Sequence, residues 1–519
     1  MSKRILILGA GEMQGVSIRI ARERGWKTVV IDGNPAAPCR NLADRFEPID
    51  LKDVPAIVDF ARDLQNNGGL DGVFTAATDF SVPVAAAAAA CGLPGHGLEA
   101  AKNASDKLRM RACFAAAKVP SPHCARVTRE NLADIAATLK DAGLRLPVVV
   151  KPADSMGARG CVRVNEENAL ETACADALRY SRSGTAIVEE YMEGPEFSVE
   201  ALVFDGEFHL TGFADRHICF PPYFVEMGHT IPTALPEADR ERIISVFRAG
   251  TEALGLSHGA AKGDIKLTPD GPMVGEIAAR LSGGYMSGWT FPYSSGIDLT
   301  GAALSLAVGE RPGELEPSVS KVCAERAWIS LPGTVASVYG LEEAAAIPGV
   351  RNVIPRAGAG DRVVFPRNNV EKCGNCLAVH EHRDEAIRLA EKACAGVFLR
   401  LAASDPATGE FLSGKSDEYP PSAFDLERLP ETVSYLPVKF SFFDAVPVPE
   451  TVVHALDSAR DWQGRLLRDA VEQAVAFEPG LADKLVYEDK KVRLQYWNAL
   501  LRGGIQGIVY TYDCDKQYT

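Results

Sequence analysis

Residues 264–284 read Asp264-Ile265-Lys266-Leu267-Thr268-Pro269-Asp270-Gly271-Pro272-Met273-Val274-Gly275-Glu276-Ile277-Ala278-Ala279-Arg280-Leu281-Ser282-Gly283-Gly284. Thr268-Pro269-Asp270-Gly271 is turn chemistry between two apolar runs, so Gly259 to Leu267 and Met273 to Ile277 are expected to pair as a hairpin. That pairing brings the carboxylates of Asp264 and Glu276 to one face. Two hard oxygen donors on a rigid sheet suit Mg²⁺ bridging nucleotide phosphates. Arg280, just beyond, is placed to neutralise charge on a transferring phosphoryl group. The competing interpretation is an acidic pair facing water, but like charges directly opposite repel without a cation. The balance favours metal.

Two segments upstream add to this pattern. Val148-Val149-Val150-Lys151-Pro152 runs as a strand into Ala153-Asp154-Ser155-Met156-Gly157-Ala158-Arg159-Gly160. The strand aims an ammonium at whatever the loop covers, and a loop with two glycines can fold its N–H groups over phosphates. It lacks the Gly-Lys-Ser/Thr ending of a Walker A loop, and Lys151 alone reads as a solvated strand end. Ala186 to Glu189, followed by Glu190-Tyr191-Met192-Glu193-Gly194-Pro195-Glu196, is an extended strand entering a short linker. Its backbone can face an adenine edge and its acids ribose hydroxyls; the alternative is an acidic surface hairpin.

The N-terminal Gly9-Ala10-Gly11-Glu12-Met13-Gln14-Gly15, with Asp32 closing the second strand, permits a tight strand-to-helix turn and an anion at the helix N-terminus. It has Gln14 where a dinucleotide fingerprint has its third glycine, which favours a turn used for packing or substrate over a dinucleotide site.

Strands at Ile5–Leu8, Thr28–Ile31 and Gly72–Thr75, with helical periodicity from Met13 to Gly25, follow βαβ logic and predict a parallel, Rossmann-like sheet. The alanine run Ala85 to Ala90 reads as a packed helix. After Pro147 the texture changes to an α+β arrangement of antiparallel hairpins. Helices are expected near Glu167 to Arg182, Glu237 to Leu254 and Arg383 to Val397. Prolines from Tyr419-Pro420-Pro421 to Pro447 and Pro449 mark a boundary. Beyond it Val452, Leu456, Trp462, Leu466, Val471 and Val475 recur at helical spacing, as a core stripe.

The 519 residues are 46% hydrophobic and 24% charged, the composition of an ordinary globular chain of about three or four domains. No apolar stretch approaches the roughly 20 residues of a membrane span. A net charge of −14 argues against general nucleic-acid binding. Twelve scattered cysteines fit a reducing cytoplasm. Cys373-Gly374-Asn375-Cys376 with His380 and His382 invites a zinc site, but no second CxxC exists and Gly374-Asn375 reads as a hairpin turn. Asp79 either faces a cleft or caps a helix starting at Ser81.

In this order, the four segments resemble the ATP-grasp superfamily over about residues 1 to 400. Within it the chain looks closest to carboxylate–amine ligases of the L-amino acid ligase type. The resemblance implies a Rossmann-like pre-ATP-grasp domain (1–105), an ATP-grasp core (106–320) and a small C-terminal subdomain (321–401), leaving 402–519 as an accessory region. It implies ATP and Mg²⁺, with Mn²⁺ as an alternative ion. Lys107 and Lys151 would contact the nucleotide, and Ser155, Gly157, Arg159 and Gly160 would form the loop over its phosphates. Glu189, Glu190, Tyr191 and Met192 would flank the adenine, and Glu196 would hold the ribose. Asp264 and Glu276 would bind metal, and Arg280 would hold the carboxylate and its phosphorylated form. Glu226 and His229, in Pro221-Pro222-Tyr223-Phe224-Val225-Glu226-Met227-Gly228-His229, would lie near the amino-acid substrate with Ser282, Gly283 and Gly284. The pattern departs at Ala278, where many relatives carry an asparagine that ligates metal.

The expected reaction is ATP-dependent joining of a small-molecule carboxylate to an amine through an acyl-phosphate, with no nucleic-acid or membrane partner and a homo-oligomer left open. The alternatives are another ATP-grasp reaction, of carboxylase or carbamoyl-phosphate type, and a Rossmann dehydrogenase or nucleotide sensor without ligase turnover.

Overall fold

The computed structural model describes residues 2–414 and 419–517. They form two compact units, one comprising residues up to Ala324 with Val379–Arg383, the other Glu325–Ala378 with the chain from Asp384 onward.

The first unit opens with a parallel sheet in the spatial order Arg45–Glu47, Lys27–Ile31, Arg4–Leu8, Gly72–Phe74. Alternation along its strands feeds two cores: Ile5, Ile7 and Val30 point into one, Leu6, Leu8, Val29 and Ile31 into the other. A strand buried on both faces reads as a continuous apolar run, which is why these strands were legible. Arg45-Phe46-Glu47 was missed, because three residues with charged ends carry no apolar run. The alanine run lies in the helix Ser81–Ala90.

A four-stranded antiparallel sheet follows, ordered Cys124–Val127, Ala186–Glu190, Val148–Pro152, Val162–Val164. It packs Val148, Val150 and Val188 on Cys174, Ala177 and Leu178 of the helix Leu170–Tyr180.

A second antiparallel array carries the predicted hairpin. Five of its eight strands lie in the order Gly271–Ala278, Gly259–Thr268, Glu196–Phe204, Glu207–Cys219, Val225–Ile231. On one face Phe197, Val199, Phe213, Ile265, Val274 and Ile277 pack against Ile243, Ile244 and Phe247 of the helix Glu237–Ala253. Period-two alternation sends their neighbours Glu196, Glu200, Asp264 and Glu276 to the other face. The last two of these five strands escaped sequence reading: Gly212 and the Pro221-Pro222 pair interrupt their alternation.

In the second unit, Trp328, Cys376, Leu399, Phe411 and Tyr510 share one core, so residues beyond 401 pack into the same unit as those before it. The proline-bearing region is partly a hairpin, Tyr435–Phe440 with Phe443–Pro449. The stripe around Trp462 is not one helix. Helices Glu450–Val453 and Leu467–Phe477 flank an irregular turn, and Trp462 lies 4.9 Å from the Phe365 ring. Gly374 and Asn375 are also not a turn. They open the strand Gly374–His380, where a Cβ at 374 would stand 1.9 Å from Trp328. Burial pushes the Cys373 thiol up to about 12, and the Cys394 thiol donates to the Arg326 carbonyl. Among the described residues no three potential ligands gather for a metal, which leaves these cysteines in the packed interior.

Phe247 is fully buried beneath the strands that carry Asp264 and Glu276. Phe247→Ala is expected to cost about 3–5 kcal/mol, read as a lower urea midpoint. An unchanged midpoint would show that this core does not support the array.

Candidate active site

Asp264 and Glu276 are direct cross-strand partners, as the hairpin predicts, and a network of cations and backbone ties them to the other motifs. Asp106 caps the helix Lys107–Ala117 by accepting from Leu108 and Arg109 N–H. Lys107, in the first turn, thereby turns inward: its Nζ lies 2.7 Å from the Ser155 carbonyl and 3.5 Å from Glu276 Oε1. Burial pushes the Glu276 carboxyl up, but the charges of Lys107, Lys151, Lys262 and Arg280 outweigh it and bring the value down to about 2.

Lys151 pairs with Glu189 at 2.7 Å, and Arg111 holds the other oxygen of Glu189 at 2.9 Å. Glu189 is only 2% exposed. Burial raises its carboxyl, and the Arg111 and Lys151 charges more than offset this. The Glu189 side chain is therefore committed to holding Lys151 rather than turned to an adenine. At its neighbours, Glu190 N–H donates to the His123 carbonyl and Tyr191 N–H to the Pro147 carbonyl. Met192 offers its carbonyl to Lys266 at 2.9 Å, and Arg163 stacks 4.2 Å over the Tyr191 ring.

The loop from Ser155 to Gly160 holds left-handed backbone at Gly157, Ala158 and Gly160, with Ala158 at φ 60°. Such a conformation at a residue with a Cβ is strained and concentrates at functional loops. Arg159 donates to the Met156 carbonyl and reaches Asp79 at 3.1 Å, while Arg182 reaches the same Asp79 oxygen at 3.0 Å. Asp79 thus faces the loop and does not cap the helix. Arg280 is buried, with Nε on the Thr78 carbonyl and Nη1 on the Leu281 carbonyl, both at 3.0 Å.

Three contributors were missed by sequence reading. Arg216 contacts Glu196, Glu226 at 2.7 Å and Asp264 at 2.8 Å; it lies in one of the two unread strands. Lys262 contacts Asp264. Its position two residues before that acid was the signal available. Glu200 is fully buried and accepts from Ser282 N–H and the Ser287 hydroxyl, both at 2.6 Å. Burial raises its carboxyl and these hydrogen bonds only partly oppose that. It fixes the start of the Ser282-Gly283-Gly284 loop, where a Cβ at Gly284 would lie 3.9 Å from Glu226. His229 is placed in the interior instead, with Nε2 2.7 Å from the Thr290 hydroxyl.

At the N-terminal turn the Gln14 amide fills the space. It accepts from Gly11 N–H and donates to the Ala76 carbonyl, and Cβ atoms at Gly9 or Gly11 would meet it at 3.1 and 2.9 Å. Asp32 accepts from Ala10 and Asn34 N–H, so both of its oxygens serve the turn. This arrangement speaks for packing and against a dinucleotide.

As for metal, the hard carboxylate of Glu276, held as an anion and meeting Lys107 at 3.5 Å, fits a divalent cation. Asp264 fits less simply, since its two oxygens already meet Arg216 and Lys262.

Comparison with known proteins agrees with this geometry. Residues 144–288 match the ATP-grasp domain family, and residues 327–402 match L-amino acid ligase C-terminal domain 2. Residues 144–288 thus carry an ATP-grasp domain. Among relatives, it is 27% identical over 402 residues to an uncharacterized protein, y4rH, of Sinorhizobium fredii, covering 76% of this chain and 82% of that one. It is 29% identical over 238 residues to the alanine–anticapsin ligase of Bacillus subtilis, covering 41% of this chain and 49% of the relative, about half its length. The L-amino acid ligase of Bacillus licheniformis shares the fold with a TM-score of 0.68 at 23% identity, over 77% of this chain and 99% of that one. Among the described residues no helix is long and apolar enough to cross a membrane.

Two outcomes follow from the charges. Glu189→Gln leaves Arg111 and Lys151 without their shared carboxylate and is expected to cost about 3–5 kcal/mol, measured by urea unfolding. The Glu276 carboxyl is depressed in the folded protein, so its contribution to stability is complete above about pH 4.5 and is lost as the pH falls toward about 2. Glu276→Gln should flatten that part of the pH–stability profile; an identical profile would show that Glu276 is not held as an anion.

Proposed function

We propose that the protein joins a small-molecule carboxylate to an amine at the expense of ATP. A carboxylate oxygen attacks the γ-phosphorus and ADP departs; the amine nitrogen then attacks the acyl carbon and phosphate leaves. The observation that carries this reading is the single network that links Lys107, Ser155, Glu276 and Asp264 on one side and Arg280, Met156 and Thr78 on the other. It sets two carboxylates, two or more cations and a glycine loop around one charged sheet face. The domain pair of ATP-grasp core and L-amino acid ligase C-terminal domain supports the amine acceptor.

A divalent ion, Mg²⁺ or Mn²⁺, would be held at Glu276 with Asp264 beside it, and would offset charge on the phosphates. Lys107 and Lys151 orient phosphate oxygens, the second braced by Glu189. The Ser155–Gly160 loop covers the reacting groups and keeps out water that would hydrolyse the activated carboxyl. Arg280, held by two backbone carbonyls, presents its remaining donor edge to the carboxylate and stabilises charge as it develops. Glu200 fixes the Ser282–Gly284 loop beside Glu226, where the amino-acid substrate would sit.

The test is ADP release by the purified protein with Mg·ATP and a panel of carboxylates, with and without amino acids. Turnover that needs both substrates is expected, and Arg280→Ala should lower kcat by about 10²-fold or more. Turnover that instead requires bicarbonate would move the protein to a carboxylating or carbamoyl-phosphate reaction. Tight NAD(H) binding without ATP binding would replace the ligase reading altogether.

A further inference from the structure

Asp264, the acid that could hold a second divalent ion beside Glu276, already meets two cations of the protein itself. We propose that Lys262 serves there as a resident cation, so that the site takes one divalent ion, at Glu276; the inference rests on the nucleotide-binding reading above.

Lys262 precedes Asp264 by two residues on the strand Gly259–Thr268, so both side chains leave the same face of the sheet. Its ammonium contacts one oxygen of Asp264, while Arg216 Nη1 lies 2.8 Å from the other. Asp264 therefore faces a fixed positive charge at each oxygen. The residue opposite Lys262 on the next strand is Ala278. Its methyl supplies no oxygen to a metal and leaves the ammonium room to fold over the sheet.

On the other flank Lys262 stands opposite Glu200, a carboxylate that could have claimed it. Glu200 accepts from Ser282 and Ser287 at Oε1, whereas Lys262 pairs with Asp264. The lysine side chain is 14% exposed, so its charge acts through protein more than through water and is poorly screened.

Glu196, Glu226 and Asp264 meet Arg216, Asp264 also meets Lys262, and Glu276 meets Lys107. Without its fixed cations Asp264 would be a second hard-cation site beside Glu276. With them, a divalent ion at Asp264 would sit against both an ammonium and a guanidinium. Glu276, which meets Lys107 at the longer distance of 3.5 Å, remains the ligand for the single ion.

The experiment counts Mn²⁺ bound per chain by electron paramagnetic resonance, in the presence of saturating non-hydrolysable adenosine triphosphate analogue. The intact protein is expected to bind one ion. Lys262→Met should bind two, and Lys262→Arg, which restores the charge, should bind one. Two ions on the intact protein would overturn the proposal whether or not the variants fold. One ion on a folded, analogue-binding Lys262→Met protein would also overturn it. Calorimetry of the analogue alone separates the two levels of inference: no binding sinks the nucleotide reading together with this one, whereas binding with two ions sinks only this one.

Discussion

Two carboxylates stand directly opposite each other across the Gly259–Thr268 and Gly271–Ala278 hairpin, and the rest of the first unit answers their mutual repulsion. Like charges in that position destabilise a sheet, so the hairpin forms because cations meet each acid. Arg216 and Lys262 meet Asp264; Lys107 meets Glu276. Each cation comes from a different place: a central strand, the hairpin itself and the first turn of a helix. The neutralised pair therefore fixes those three elements relative to one another. The apolar reverse face, packed on Ile243, Ile244 and Phe247, supplies the burial that holds the charged face together.

What was legible in the sequence was what alternation and turn chemistry encode locally. The parallel strands Arg4–Leu8 and Lys27–Ile31 announce themselves as unbroken apolar runs, and the acidic hairpin by its Pro-Asp-Gly turn and the spacing of Asp264 and Glu276. The α/β and α+β character followed from these together, and the ATP-grasp core from the resemblance that the ordered motifs carry. The strands Glu207–Cys219 and Val225–Ile231 were not legible, because Gly212, Arg216 and the diproline break their pattern, although they pair with each other and with the preceding strand as successive hairpins. The site suffered accordingly. Arg216 sits on an unread strand. Glu189 looked like a nucleotide acid but is a buried counter-ion for Lys151 and Arg111, a role set by a helix nearly 80 residues upstream.

The second unit was read least well for a related reason. Its helical stripe around Trp462 has the right apolar content but is divided by a turn in which Asp461 accepts from Gln463 and Arg465 N–H, a local hydrogen-bonding alternative to a helix. Gly374-Asn375 carries turn-forming residues yet lies in a strand because Trp328 leaves no space for a side chain at 374. In both places tertiary packing or side-chain capping overrides local preference.

Asp79 has one oxygen shared by two guanidinium groups, one on the glycine loop and one on the segment after the helix Leu170–Tyr180. A carboxylate with two such donors can surrender one without being stranded. Under the proposed nucleotide reading, phosphate oxygens arriving beneath the loop would compete with Asp79 for Arg159, and Arg182 would remain to keep the acid company. The exchange trades one charge-assisted contact for another, so loop rearrangement around a nucleotide exposes no bare charge. The duplication at Asp79 thereby resembles a clutch plate: it holds the loop through two guanidinium groups and would let one go without baring the acid.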